Sequence, residues 1–459
     1  MDRKLVSSLT LALLLGGTTH VLGANLNVDT ATDSPDAKPG DGQCVSKAGG
    51  CTLRAAIEEA NATTLADTIN VPPGTYLLTV SATGGPDDAQ SGVLILNGEV
   101  QILGGDAAST IVDGGGKGRV FETQNDSTIS LMGLTIQNGL ADGANGAGIL
   151  NRGHLKLADL VVKNNRAKGD PLNASGGGAG ISNAETGTAT LLNVRVEANT
   201  ADGRGGGIAN AGELQVMNST ITGNMSLTDD GGGFVNEGTL SLLLSEVSSN
   251  RAKSGAGIDN IKGSVKLNDS TIAQNAATSD GGALFNSGTV TAVNTTISGN
   301  TAGGSGGGIA NRAQGSVTLN NATIAGNAAT GEGGGINNAA TATVSLANSI
   351  LASNTGASGA DCGGVITSGG YNLIQSDGGC SVQGSPTGNV IGQDAKLAVL
   401  AKNDGPTRTR APQPGSPAIN AGNPGKATGS GGTCAPADQR GVRREKDRCD
   451  AGAYETATK

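Results

Sequence analysis

A unit of about 25 residues recurs along most of this chain, and it constrains the fold more than any other feature. Setting the apolar residue of "STITGN" (residues 219–224) in register gives the anchors Ile136, Val162, Val196, Ile221, Val247, Ile272, Ile297, Ile324 and Leu351. Their spacings are 26, 34, 25, 26, 25, 25, 27 and 27. Seven and five residues before each anchor sits another small apolar residue, as at Leu214 and Val216, Val265 and Leu267, or Val317 and Leu319. Alternation of this kind predicts short β-strands.

Asparagine recurs with the unit. One series, three residues after the anchor, includes Asn165, Asn199, Asn224, Asn250, Asn275, Asn300, Asn327 and Asn354. A second follows the glycine cluster, at Asn151, Asn183, Asn210, Asn236, Asn260, Asn286, Asn311 and Asn338. A third, three before the anchor, reads Asp159, Asn193, Asn218, Asp269, Asn294, Asn321 and Asn348. Glycine recurs nine before the anchor, as at Gly212, Gly238 and Gly263.

Repeats of this length with no helical period predict coils of a parallel β-helix. Equivalent residues of stacked coils lie about 4.8 Å apart, so each Asn column is expected to form a ladder of amides between coils. Glycine is expected to turn the corners. A narrow interior filled by small aliphatics also accounts for an aromatic content of 1% and for 78 Gly without a collagen period. Phe234 and Phe285 are expected to replace Ile at one core position.

The termini read differently. Arg3 and Lys4 precede the apolar "LVSSLTLALLLGG", with small residues after it, so residues 1–23 are expected to be a signal peptide. No later segment is apolar enough to span a bilayer. In "CTLRAAIEEANATT", Leu53, Ala56, Ile57 and Ala60 share one helical face and Thr52 is placed to cap it, which predicts an amphipathic lid within residues 24–65. Six cysteines allow fifteen connectivities; proximity suggests Cys44 with Cys51, Cys362 with Cys380, and Cys434 with Cys449.

Several of these segments resemble known families. "CTLRAAIEEANA" resembles the C-S-L-R-E-A motif that opens many secreted bacterial β-helix proteins, with Ala55 in place of the motif's Glu. The repeats resemble those of polymorphic outer-membrane proteins. "GSPAINAG…ADQRGVRREKDRCDAGAYE" (residues 415–455) resembles the choice-of-anchor module of bacterial surface proteins. The resemblance implies secretion and a right-handed, single-stranded parallel β-helix, with repeats over residues 66–360 and a C-terminal module over 361–459. It implies no particular activity. Members often carry an anchor after the module; none is read here, which favours release or non-covalent retention.

Chemistry is sparse. Two outward columns alternate along the stack, one through Ser130, Lys156, Thr190, Gln215, Ser241, Lys266, Thr291, Thr318 and Ser345. The other runs through Thr128, His154, Thr188, Glu213, Thr239, Ser264, Thr289, Ser316 and Thr343. Glycoside cleavage needs two carboxyl groups across one bond, and neither column supplies a pair. Acids gather in the corners before the glycines, at Asp202, Asp229, Asp230, Asp280 and Glu332; Asp229, Asp230 and Asp280 are the calcium candidates, although solvated corners are the preferred reading. The longest insertion, around Asp170 and Pro171, is a further candidate loop. In the terminal module Asp438, Arg440, Asp450, Tyr454 and Glu455 form a dense polar group, read as ion pairing that closes the last coil.

With a net charge of −9 and no long basic stretch, nucleic acid is not an expected partner. The reading favoured is a monomeric secreted or surface scaffold, adhesin-like and non-catalytic, meeting glycans or proteins and needing no cofactor. A polysaccharide lyase or hydrolase is the alternative. A Thr/Ser surface for ice or a crystalline polymer is a third reading.

Overall fold

The computed structural model describes residues 22–80, 92–169, 177–429, 432–444 and 449–456. The expected leader, up to residue 21, and most of the insertion after Gly169 lie outside the described residues.

Each coil is built from short strands that pair in parallel with the equivalent strands of the coils before and after it. One coil runs through Ile208–Asn210, Glu213–Met217, Thr220–Thr222 and Met225–Ser226. Within Glu213–Met217 the burial alternates, with Leu214 and Val216 inward and Glu213 and Gln215 exposed. The strands stack into three sheets of 24, 13 and 8 strands. Their register keeps chemically equivalent residues in line: Leu214 pairs with Leu240, Leu240 with Val265 and Val265 with Val290. The chain is therefore an all-β parallel solenoid, and the columns of aliphatics form one continuous core.

The corners depend on left-handed backbone. Residues three before the anchor adopt it, as at Asn193, Asn218, Asn294, Asn321 and Asn348 (φ 58°, 47°, 47°, 50° and 51°), where an Asn side chain lowers the steric cost. Gly231 turns another corner with φ 75°. The glycines nine before the anchor sit in the bends between strands, as at Gly212 and Gly238, but without left-handed backbone. They are required for space: a Cβ on Gly238 would lie 2.0 Å from the Gly212 carbonyl oxygen.

The two phenylalanines also separate. Phe234 is fully buried in a column with Ile208 and Ile258. Phe285 is displaced by one residue: Leu284 takes the core slot beside Ile258, and Phe285 pairs with Asp259 and Ala310. Because side chains alternate along a strand, Phe285 faces outward.

Helix α1 (Leu53–Asn61) starts at Thr52, whose Oγ1 accepts the Ala55 N–H at 3.0 Å. The helix is not half-solvated, as a simple lid would be. Residues from Leu53 to Ala60 are all buried, because the preceding loop covers the polar side as well. Glu59 there accepts the Gly40 and Gly42 N–H groups, Glu58 accepts that of Asp36, and Arg54 pairs with Asp33 at 2.7 Å. A strand at Leu22–Asn27 adds a first rung beside Ala66–Val71.

Solenoid pairing continues past residue 360, to Cys362–Ser368, Leu373–Ile374, Cys380–Gly384 and Val390–Ile391. The remaining module does not simply close the last coil. It runs back along one flank, with Thr407 bonded to the Asp269 carbonyl and Arg408 to Glu246 and Gln274. The six cysteines pair as Cys44–Cys51, Cys362–Cys380 and Cys434–Cys449. Among the described residues no helix is long and apolar enough to cross a membrane.

Candidate functional site

The two Asn columns are structural. Asn250 Nδ2 donates to Asn275 Oδ1 at 2.9 Å and to the Ile221 carbonyl at 3.0 Å, while its Oδ1 accepts the Asn224 N–H and Nδ2. The same contacts run from Asn165 through Asn224, Asn275 and Asn300 to Asn354, whose amide ends on Asp361 Oδ1 at 2.8 Å. In the second column Asn210, Asn236, Asn260, Asn286 and Asn311 hand on bonds of 2.7–2.9 Å and end, through Asn338, on the Val365 carbonyl. Every member is buried, so these amides are unavailable to a ligand.

On the outside, the two hydroxyl columns lie in register over successive coils: His154 pairs with Thr188, Thr289 with Ser316, Thr318 with Ser345. Thr343 Oγ1 bonds Ser316 Oγ at 3.2 Å. Lys156, Glu213, Gln215 and Lys266 interrupt this ribbon and remain exposed.

The acidic corners are mostly committed. Asp229 pairs with Arg204 at 3.1 Å, Asp202 with Arg166 at 2.9 Å and Asp280 with Arg312 at 3.0 Å. Asp230 and Asp280 each accept a backbone N–H at 2.8 Å, from Ser254 and Ser305. Among the described residues no three His, Cys, Asp or Glu side chains gather as a metal site; Asp229 and Asp230 are neighbours, with the Asp230 N–H donating to Asp229 Oδ1 at 3.0 Å.

One acid is different. Asp259 occupies the outward position of the strand Ile258–Asn260, yet it is only 3% exposed and makes no hydrogen bond or ion pair with the described residues. Val235 and Phe285 flank it on neighbouring coils, and the backbone of Gly255 lies against it. Burial pushes its carboxyl up to about 8; Asp230 raises it further, Arg204 opposes this, and Asp229 and Glu237 raise it. Glu122, in the same column, shows the contrast, for it is buried but neutralised by Arg119 and Arg152. Beside Asp259, the Arg312 guanidinium lies 5.0 Å from the Phe285 ring centre, a cation–π contact. A carboxyl kept protonated near neutral pH can donate a hydrogen bond or a proton.

Sequence reasoning did not single out Asp259. Its signal was available: an acid where other coils place Leu150, Ser182, Ala209, Val235 and Ala310.

The polar group of the terminal module serves as internal scaffolding. Arg444 is buried, pairs with Glu455 at 2.8 Å and reaches the Asp450 and Gly452 carbonyls. Arg440 pairs with Asp438 at 2.8 Å and lies 3.5 Å from the Tyr454 ring centre. Asp450 accepts the Asn420 N–H at 2.7 Å.

No protein-family model matches the sequence, and no curated protein matches it. Among solved structures, the crystal structure of pectate lyase Pel9A aligns with 95% of this chain and 98% of its own, at 13% identity and a TM-score of 0.46. A Geobacillus virus E2 protein, ORF18, aligns with 85% of this chain and 63% of its own, at 11% identity and a TM-score of 0.29.

Proposed function

We propose that this chain is an exported, monomeric scaffold whose long hydroxyl-lined side engages glycans or other proteins without cleaving them. The observation that carries this reading is the in-register ribbon from Thr128 to Ser345, a polar face whose hydroxyls recur coil by coil. Of the corner acids, Asp202, Asp229 and Asp280 are each paired with an arginine, which leaves fewer free carboxylates of the kind that glycoside hydrolysis uses. Export is supported by three disulfides, which persist in oxidising compartments, and by the resemblance of "CTLRAAIEEANA" and residues 415–455 to secreted bacterial proteins.

A second reading, polysaccharide cleavage, is favoured by Asp259 alone, since a buried carboxyl that keeps its proton near neutral pH suits a general acid. One experiment separates them: glycan-array binding of the mature protein, with and without Ca²⁺, followed by assay of any bound glycan for new reducing or unsaturated ends. Binding without cleavage is the expected result. Cleavage that disappears in Asp259→Asn would replace the scaffold reading with the enzymatic one.

A further inference from the structure

The C-terminal module is held on the solenoid by a repeated device. At Asn294, Asn321 and Asn348 the left-handed corner projects an amide that reads the module's backbone. Asn294 Nδ2 donates to the Ala437 carbonyl at 2.8 Å and Asn348 Nδ2 to that of Gly432 at 2.9 Å. Asn321 Oδ1 accepts the Ala435 N–H and Asn348 Oδ1 that of Asn423, both at 2.8 Å. Two residues after the corner position, at Thr271 and Thr323, threonine adds to the grip. Thr271 Oγ1 donates to the Arg408 carbonyl at 2.6 Å, and Thr323 Oγ1 accepts the Ala453 N–H at 3.0 Å.

The same corner continues upstream, where no described residue of the module bonds its side-chain amides. Asn193 and Asn218 have the same left-handed backbone and are followed by Arg195 and Thr220. Asn294, Asn321 and Asn348 are buried beneath the module, whereas Asn193 and Asn218 are exposed. The Asn218 amide has no hydrogen-bond partner among the described residues, and that of Asn193 reaches only Asp159. Where the module ends, a recess of about 150 Å³ is lined jointly by its Pro406 and Thr407 and by Asn218 and Thr220 of the solenoid. Beyond it a groove of about 550 Å³ is lined by Gly104, Gly133, Met132, Asp159, Asn193 and Arg195.

We propose that this upstream flank, from Asp159 to Thr220, is a docking surface for an extended segment of a partner protein, held by its backbone as the module is held downstream. As under the module, the amides read peptide groups rather than side chains. An extended, small-residue stretch resembling residues 432–437 (Gly-Thr-Cys-Ala-Pro-Ala) therefore has the required chemistry. The proposal concerns the corner that follows the ribbon strands, uses none of the ribbon's hydroxyls, and stands or fails independently of that reading.

The test uses the full chain and a synthetic peptide of residues 432–440 carrying Cys434→Ser. Saturable binding is expected, with cross-links or NMR shifts mapping to Asp159, Asn193 and Asn218. Asn193→Gly with Asn218→Gly removes both amides while glycine keeps the corner's backbone, so the fold should persist by circular dichroism and affinity should fall about tenfold. Failure to bind at millimolar peptide, or binding that the double variant leaves unchanged, would overturn the proposal. So would occupation of this flank by an oligosaccharide while the peptide gives no shift.

Discussion

At the scale of single residues, the protein divides its buried polar groups into two kinds. The ladder amides have full sets of partners, and Asp259 has none. A carboxyl whose proton is held more tightly in the folded state loses stability as pH rises, because the unfolded chain releases that proton first, near pH 4. The contribution of Asp259 is therefore present below about pH 4, declines up to about pH 8 and is flat above. Asp259→Asn is expected to flatten this slope and to raise stability at pH 9 by roughly 1 to 3 kcal/mol, read from denaturant midpoints at pH 5, 7 and 9. Asp230, Asp361 and Glu455 are pushed in the same direction by burial, so the comparison with the variant isolates Asp259. An unchanged slope in the variant would contradict its buried, unpartnered placement. Asn250→Leu should act oppositely, removing the acceptor of the Asn224 N–H and Nδ2 and costing at least about 1 to 3 kcal/mol at any pH.

At the scale of elements, each coil is a strand and corner rule written in sequence, with local departures. The alternation around Leu214 and Val216 makes strands legible because inward and outward side chains differ in polarity. Corners were less legible, since space and left-handed backbone both select glycine, and composition alone does not tell Gly238 from Gly231. Phe285 shows that residue type does not stand for register: Leu284 fills the core slot instead. Asp259 is hidden from the sequence pattern because its burial comes from the corner that folds against it, which strand alternation does not encode. One corner breaks its own rule: Leu244 takes φ 50° where neighbouring coils use Asn or Asp. Leu244→Asn is expected to stabilise the protein by about 0.5 to 1 kcal/mol, with a higher melting temperature in calorimetry. A lower one would mean that the leucine's packing outweighs its backbone strain.

At the scale of the whole molecule, fold class and coil length follow from the repeat, but the path of the terminal module does not. Its contacts join irregular backbone to corner amides more than a hundred residues away, as between Asn294 and Ala437, and such pairings leave no period to detect. Coils under the module should therefore open less readily than coils upstream. Hydrogen exchange is expected to be slower at Ile272, Ile297 and Ile324 than at Val162 and Val196, and uniform protection would contradict a clamping module. The solenoid should also tolerate loss of one register-matched coil. Deleting residues 214–239 joins Glu213 to Leu240, the ladder equivalent of Leu214, and is expected to leave a cooperative thermal transition. Deleting only residues 214–227 should abolish it, because later strands would face the wrong columns.

Asp361 gives this modularity a direction. Every amide in its column points the NH₂ toward the next coil, so the small dipoles add and the positive end of the row lies at the C-terminal side. A carboxylate at that end meets the row's unspent donors with negative charge, as an acid does at the start of an α-helix. It has no N–H of its own to pass forward, so the row stops there. Asp361 thus acts as a terminator, and the stack can grow or shrink by whole coils between fixed ends while its length stays a quantity that evolution can set by copying.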